Sequence, residues 1–363
     1  MTRTSRRLGM KAILIVPMMI AVVTSSIASG PPTTQPTGAR TIETDARVDA
    51  SVAAGLAYLA QQQNADGSWE GGGPPVAMTG LSLMAYLAGG HTPDVGKYGL
   101  VVRRAMDRLV EFVPEDGYFG KVDGSKMYGQ GIATLALLEA MGVEPDPARR
   151  KRLRAAAERC VAVILKAQDV HKLDDNEAGG WRYEPQSSDS DLSLTAWCTL
   201  ALRAAQNVGM NVPRQRTVRA ALYIKRCFND RDGGFGYQPR QPASAALTGV
   251  GVLALYLLEA GGDPPTQAQL RTATQFLIDH PPDEKMRFPY YTMYYTTQAA
   301  YQVGHEAWGP IWQANRDQLL SIQTQEGSWP QSGSGEEPGK IYATSMAVLT
   351  LSVPYRLLPV YQK

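Results

Sequence analysis

The sequence predicts an all-α fold, an α6–α6 toroid in which six helix pairs close into a double ring, and three observations carry this prediction. A glycine turn that ends in an aromatic residue recurs along the chain, at Trp69, Phe119, Trp181, Phe235 and Trp329. Each turn separates an amphipathic segment from one that is apolar or small nearly all round. A helix that is apolar on every side has to be covered on every side. We therefore expect the apolar helices to form an inner ring and the amphipathic helices an outer ring.

The toroid is expected to occupy residues 48–363. The predicted outer helices are Val48–Gln63, Leu100–Val113, Ala148–Gln168, Arg214–Phe228, Pro265–Asp279 and Pro310–Gln323. The predicted inner helices are Thr79–Ala88, Gly129–Met141, Leu192–Val208, Ala245–Ala260, Tyr291–Val303 and Ala343–Leu351. The last unit ends in the apolar stretch SVPYRLLPVY, where an open solenoid would carry a polar cap, so closure is favoured over an open array.

Composition indicates a globular chain without a basic surface. The 363 residues are 44% hydrophobic and 19% charged, which is enough to bury a large core. The formal charge is +2, but the first eleven residues carry four basic side chains and no acid, and without them the charge is −2. No basic face is expected to remain, so nucleic acid is not an expected partner.

The N-terminus has the pattern of a secretory signal over residues 1–28. A basic start precedes the apolar run Ala12–Val23, and Ser26-Ile27-Ala28 suits signal peptidase. Residues 29–47 are rich in proline and threonine and are expected to form a flexible lead. The sequence thus predicts an exported protein, periplasmic or extracellular, with no transmembrane segment in the mature chain. Peripheral membrane contact stays open, and an uncleaved membrane anchor is the alternative.

Cleavage after this segment gives a direct test of export. The exported form should begin near Ser29, which N-terminal peptide sequencing will show. A membrane-bound product that retains Met1 would contradict the signal-peptide interpretation.

The three cysteines do not indicate a metal site. Cys160, Cys198 and Cys227 are widely spaced, form no C-x-x-C pair, and each lies in an apolar helical stretch. A free cysteine in such a stretch behaves as a small hydrophobe, although one disulfide remains an alternative. We expect no metal and no cofactor.

Two of the turns carry a family resemblance. AQQQNADGSW and SIQTQEGSW resemble the Gln-to-Trp repeats of squalene–hopene and oxidosqualene cyclases. The resemblance implies that Gln61–Gln63 with Trp69, and Gln323 or Gln325 with Trp329, lock neighbouring helices together. Gln168 precedes Trp181 at a looser spacing, and no glutamine precedes the turns of units two and four. The chain is also similar to exported bacterial repeat proteins built only of this toroid, and protein prenyltransferase β subunits share the fold.

The same resemblance suggests an acid catalyst. Class II terpene cyclases donate a proton from a D-x-D-D motif, and Asp189-Ser190-Asp191-Leu192 is similar to three of its four elements. This resemblance implies that Asp191 is the proton donor and that Asp189 belongs to the same motif. Leu192 departs from the pattern, which has aspartate at that position. Helix capping is the alternative, because Asp191 directly precedes an apolar helix whose free N–H groups a carboxylate satisfies. No cysteine follows aspartate in the D-x-C spacing of the zinc-dependent prenyltransferases.

Aromatic residues of the predicted inner helices are candidates for a ligand-binding wall. The candidate ligand-binding residues are Tyr128, Trp197, Tyr291, Tyr294, Tyr295 and Tyr342. Such rings stabilise a cation or stack on a sugar, whereas packing between the two rings of helices is the structural alternative.

These patterns support three functions. The leading expectation is an exported toroid that binds an apolar, isoprenoid-like ligand or a protein partner in a central apolar cavity, with catalysis open. The second is a class II terpene cyclase-type isomerase with Asp191 as general acid. The third is a glycan-binding or glycan-cleaving α/α barrel. Paired carboxylates at the mouth of the cavity would favour the third, and a dry aromatic cavity would favour the other two.

Overall fold

The structure is a computed structural model that describes residues 45–283, 286–333, 335, 337–355 and 357–361, with the backbone alone for His305. The predicted signal peptide and most of the predicted flexible lead lie outside these residues. In the described part of the chain, no helix combines the length and apolarity needed to cross a membrane.

The described residues form thirteen α-helices and one two-stranded hairpin. In chain order the helices are α1 (Ala46–Gln61), α2 (Pro75–Ala88), α3 (Gly99–Phe112), α4 (Gly120–Asp123), α5 (Lys126–Val143), α6 (Pro147–Gln168), α7 (Leu192–Asn207), α8 (Arg214–Arg226), α9 (Ala245–Leu257), α10 (Pro264–Asp279), α11 (Pro289–Val303), α12 (His305–Ile322) and α13 (Lys340–Leu351). Strands β1 (Phe228–Asn229) and β2 (Gly234–Phe235) pair antiparallel, with Phe228 opposite Phe235. Short 3-10 turns lie at Asp175–Glu177, Val353–Tyr355 and Pro359–Tyr361.

The helices form the predicted double ring. The inner ring runs α2, α5, α7, α9, α11 and α13, each packed on the next, and α13 packs back on α2. The outer helices α1, α3, α6, α8, α10 and α12 pack against this ring. The connection in unit five, residues 280–288, contains no glycine, unlike the turns of the other five units. In every unit the inner helix follows its outer helix, so the N-termini of the inner helices lie at one mouth of the ring. The prediction of an all-α toroid is confirmed.

Several helix starts differ from the prediction. Helix α2 begins at Pro75 rather than Thr79, because proline fits the first turn of a helix, where its missing N–H is not needed. Helix α12 begins at His305 and contains Pro310, which the sequence placed at the helix start. Its first turns are held by the burial of Ala307 and Ile311 in the core.

The seams between units are locked by glutamine side chains. The amide nitrogen of each donates to the glycine carbonyl of its own turn and to a carbonyl of the next outer helix. The pairs of acceptors are Gly67 and Val101 for Gln63 (3.1 and 3.0 Å), Gly179 and Arg216 for Gln168 (2.9 and 2.9 Å), and Gly327 and Ser51 for Gln323 (2.9 and 2.9 Å). The bond from Gln323 to Ser51 joins the last unit to the first, so it closes the outer ring.

Unit two achieves the same lock from a different helix. No glutamine precedes its turn, but Gln130 on the inner helix α5 donates to the carbonyls of Gly117 and Cys160, both at 3.0 Å. Its Oε1 also accepts the backbone N–H of Phe119 at 3.0 Å. The two acceptors are equivalent to those of Gln63 and Gln168, so the contact is kept although the residue comes from another element.

Glycine is required in these turns by space as well as by backbone angle. Gly179 has φ +98°, and a Cβ there would lie 2.3 Å from the carbonyl oxygen of Arg219 on the next outer helix. Gly67 has φ +91° and meets Arg104 in the same way at 2.4 Å. Only a residue without a side chain allows the turn to touch the neighbouring backbone.

The C-terminal 3-10 turn at Pro359–Tyr361 packs against α5 and α7, over a buried carboxyl group. Glu139 of α5 is 2% exposed, and its Oε1 accepts the backbone N–H of Val360 at 3.1 Å. Burial raises the pKa of Glu139 to about 8. Glu139 interacts electrostatically with Tyr294 and Tyr361, whose hydroxyls are bonded to each other.

Replacing Glu139 should change how stability depends on pH. Between the ordinary pKa of 4.5 and about 8, the folded protein keeps a proton that the unfolded chain loses, so stability falls as pH rises through this window. Glu139→Gln keeps an acceptor for Val360 and cannot ionise. We expect it to match the wild type near the lower limit and to be more stable by up to about 5 kcal/mol above the upper one. Urea unfolding of the two proteins near pH 4.5 and above about pH 8 measures this difference in stability. An equal difference at the two pH values would contradict the prediction.

Candidate functional site

The loop between α6 and α7 folds back on itself at the mouth formed by the inner-helix N-termini. The backbone N–H of Asp191 donates to the carbonyl of Trp181 at 2.9 Å, and the N–H of Trp181 donates to Thr195 Oγ1 at 3.1 Å. A Cβ on Gly180 would lie 2.8 Å from both Ser190 and Thr195, so the loop closes this tightly only with glycine there. This closure brings the residues just after Trp181 beside those just before α7.

Asp191 caps helix α7. Its Oδ1 accepts the backbone N–H of Leu194 at 2.9 Å and the hydroxyl of Ser193 at 2.6 Å. Its Oδ2 lies 3.4 Å from Arg182 Nε. The side chain has no exposed surface. Asp191 is therefore a helix cap, which was the alternative to a catalytic role. Its second carboxylate oxygen faces the Arg182 guanidinium.

Arg182 holds two carboxylates at once. Its Nη1 pairs with Asp189 and its Nε faces Asp191. The Asp189 side chain is 47% exposed, whereas that of Arg182 is 20% exposed. The paired acids of the predicted motif thus meet on one guanidinium, with Asp189 toward solvent and Asp191 beneath it.

Two tyrosines that the sequence analysis did not select form the rim above these charges. The Arg182 guanidinium lies 4.9 Å from the ring centre of Tyr183 and 5.5 Å from that of Tyr237. The hydroxyls of Tyr183 and Tyr237 are 2.7 Å apart. The carbonyl of Tyr237 also accepts the N–H of Leu192 at 2.9 Å, which ties the turn of unit four to the start of α7. The sequence signal that could have pointed to this rim is the WRY tripeptide, whose arginine and tyrosine stand close to the acidic stretch.

Burial controls the electrostatics of this site. It raises the pKa of Asp191, against the hydrogen bonds from Leu194 and Ser193 and the nearby charge of Arg182. Burial also raises the pKa of Tyr237 and of Tyr128. Asp191 is thus more readily protonated than an exposed aspartate, and the tyrosines stay neutral hydrogen-bond donors.

The candidate ligand-binding aromatics lie on the axis below the mouth. The Tyr128 hydroxyl donates to Ser193 Oγ at 2.7 Å, because the proton of Ser193 is given to Asp191. The rings of Tyr291 and Tyr295 are 4.6 Å apart, and Tyr291 interacts electrostatically with Asp191. Tyr342, on the neighbouring α13, is half-buried and interacts electrostatically with Tyr128.

Deeper in the ring, side chains from α7 and α11 meet each other. The ring of Trp197 lies 5.7 Å from that of Tyr295 and 6.4 Å from that of Tyr294, and the three residues are at most 2% exposed. At this level the axis is filled by the protein's own aromatic side chains. The expectation of a central apolar cavity is not met here, because these rings are large enough to pack against one another across the ring.

A third carboxylate, absent from the sequence prediction, lies at the same mouth. Glu337 is 3% exposed and accepts the backbone N–H groups of Tyr291 at 3.0 Å and Tyr290 at 3.4 Å, so it caps α11. Burial raises its pKa to about 7. Asp123 caps α2 in the same way, accepting the N–H of Val76 at 2.8 Å. Carboxylates at these positions complement the positive ends of the inner helices.

The structure places all three cysteines in the core. Cys160, Cys198 and Cys227 are buried thiols, and within the described ranges no three His, Cys, Asp or Glu side chains converge as metal ligands do.

No protein-family profile matches the sequence, and no curated protein matches it either. Solved structures share the fold. One is an inactive variant of the α-1,6-mannanase GH76A of Salegentibacter sp. HEL1_6, with two neighbouring aspartates changed to asparagine and α-1,6-mannotriose bound. Its TM-score is 0.65 at 9% identity, over 85% of this chain and 99% of that chain.

Two further structures carry different chemistry on the same architecture. The type II terpene cyclase MstE from Scytonema has a TM-score of 0.55 at 15% identity, over 86% of this chain and 100% of that chain. A D-mannose isomerase has a TM-score of 0.61 at 12% identity, over 88% of this chain and 98% of that chain. At these identities the likeness establishes the α/α-toroid class of the fold, and function has to be argued from the site.

Proposed function

We propose that this chain binds a saccharide at the tyrosine-rimmed mouth and acts on it with Asp191 and Asp189. The observation that carries the proposal is the convergence of both carboxylates on Arg182, between the rings of Tyr183 and Tyr237. Aromatic faces stack on the apolar faces of sugar rings, and carboxylates and guanidinium groups bind their hydroxyls. The saccharides bound or used by the mannanase and the mannose isomerase support this ligand class.

The two carboxylates differ in the way that acid-base chemistry on a glycosidic bond requires. Burial favours the protonated form of Asp191, which suits a general acid. Asp189 is half-exposed and pairs with Arg182, so a second carboxylate lies next to the acid, as in the carboxylate pairs of glycosidases. Because Asp191 has no exposed surface, a substrate reaches it after the side chain of Arg182 or Tyr237 moves aside.

Saccharide binding is tested by titrating α-1,6-mannotriose and a panel of other oligosaccharides while intrinsic fluorescence is recorded. Tyr183→Ala should weaken binding about tenfold or more, because it removes a stacking face of the rim. The matched control is Tyr58→Ala on the outer helix α1, which should bind like the wild type. If no oligosaccharide of the panel binds, or if Tyr183→Ala and Tyr58→Ala bind with equal affinity, the proposal is contradicted.

An isoprenoid ligand remains a second candidate, on one observation. A buried aspartate with a raised pKa lies above the rings of Tyr291 and Tyr295, as a proton donor to an alkene would. Against it, Leu192 is fully buried where the cyclase motif carries its last carboxylate, and the mouth is charged. Mass spectrometry of lipid extracted from the purified protein tests this candidate, and a co-purifying polyprene would favour it over the saccharide.

We also propose that the chain is exported, on the basis of its N-terminal pattern. A saccharide outside the cytoplasm is then the accessible substrate class.

A further inference from the structure

The outer ring is electrostatically one-sided. Helix α6 carries seven basic residues and one acidic residue, and its neighbour α8 carries five basic residues and no acidic one. Helices α1 and α10 each carry one basic and one acidic residue. The net charge conceals this asymmetry because many of the acidic residues lie in loops. The expectation that no basic face remains is therefore wrong for this side of the ring.

Part of this charge is neutralised locally. Arg149 pairs with Glu144 at 3.0 Å, and Arg219 pairs with Asp169 at the same distance. Four exposed basic residues on these helices form no ion pair among the residues that the structure describes: Arg150, Lys151, Lys166 and Arg214. Arg150 donates to the backbone carbonyls of Glu144 at 2.9 Å and Pro145 at 3.2 Å. The side chains of Lys151, Lys166 and Arg214 are exposed, and no described acidic side chain pairs with them.

Exposed apolar side chains also lie on α8 and in the loop after α6. Val218 and Leu222, one turn apart on α8, are 46% and 48% exposed, and Leu173 in the loop after α6 is 86% exposed. That loop is fastened along α8, because Arg219 donates to the carbonyl of Gln168 and Arg226 to that of Asn176, both at 2.9 Å. We call the four unpaired basic residues and these three apolar residues the basic face.

We propose that the basic face docks the protein on an anionic lipid bilayer. Each lysine or arginine near such a surface is attracted to lipid phosphates, and apolar side chains beside them enter the headgroup region. A hydrated polyanion, such as an acidic polysaccharide or a nucleic acid, would compensate the charges but leave Leu173 and its apolar neighbours in water. The combination of both features favours the bilayer.

The test is co-sedimentation of the mature chain with vesicles of phosphatidylcholine alone or mixed with phosphatidylglycerol. We expect binding to the anionic vesicles only, weakened by added salt. The double variant Lys151→Glu/Arg214→Glu should reduce binding about tenfold or more. Its matched control, Arg231→Glu/Arg271→Glu, makes the same change of charge at exposed positions outside α6 and α8, and should bind like the wild type.

The apolar part of the face separates a bilayer from a polyanion. Leu173→Ser/Leu222→Ser should weaken vesicle binding several-fold and leave binding to heparin unchanged, with circular dichroism confirming that each variant is folded. Equal binding to neutral and anionic vesicles, or equal binding by the two charge variants, overturns the proposal. Binding to heparin without binding to anionic vesicles also overturns it, and identifies a hydrated polyanion as the occupant.

Discussion

Trp181→Ala should lower the free energy of unfolding by about 3–5 kcal/mol, the usual cost of truncating a large buried aromatic residue. Trp181 is 1% exposed, and its indole Nε1 donates to the carbonyl of Ile164 at 2.8 Å. Its backbone N–H is bonded to Thr195 on the inner helix. The substitution therefore empties the space between α6 and α7 and leaves a buried carbonyl without its donor.

Urea unfolding followed by circular dichroism measures this loss as a shift of the midpoint. Trp312→Ala is the control, because Trp312 is also part of a helix pair but is only half-buried on the outer helix α12. Trp181→Phe separates the two contributions, since it keeps most of the packing and loses the indole N–H. An unchanged midpoint for Trp181→Ala would show that the turn aromatics do not hold the seams.

Asp191→Asn should abolish turnover while the protein stays folded. Asparagine caps a helix about as well as aspartate, so Oδ1 can still accept from Leu194 and the stability should change by less than about 1 kcal/mol. An amide cannot donate the proton that a general acid supplies, and such a loss costs typically about 10²–10⁴ in rate. The expected result is therefore a large kinetic effect with a small structural one.

The measurement is product formation from the oligosaccharide identified in the binding screen, with squalene and shorter polyprenes assayed in parallel. Asp123→Asn is the matched control, because it makes the same change at the carboxylate that caps the neighbouring inner helix α2 and leaves both carboxylates on Arg182 in place. We expect no product from polyprenes with either protein. Equal turnover by wild type and Asp191→Asn would remove Asp191 from the mechanism.

The pH dependence of such turnover has a defined direction. Burial raises the pKa of Asp191, so its protonated form persists to higher pH than that of an ordinary aspartate. A reaction that uses Asp191 as the acid should lose rate as the pH rises through this raised pKa.

The sequence by itself determined the architecture and the motif at the mouth. The contrast between the amphipathic α8 and the uncharged α9 indicated which helix is outside and which is inside, because an uncharged helix cannot face water along its length. The repeated Gly-aromatic turns indicated five of the six units, and the alternation of helix types indicated the remaining one. The acidic stretch before α7 was readable as a cap because capping depends on residues only two or three positions apart.

Only the tertiary structure decided which distant residues complete these local features. Gln130 replaces a missing seam glutamine from another helix, and Tyr237 joins Arg182 at the mouth from the next unit. The aromatic rings of Trp197 and Tyr295 meet inside the inner ring of helices, where the sequence indicated a central apolar cavity. The physical reason is that helical periodicity orders residues along one element, whereas a contact between elements depends on their distance and angle, which closure of the whole ring sets.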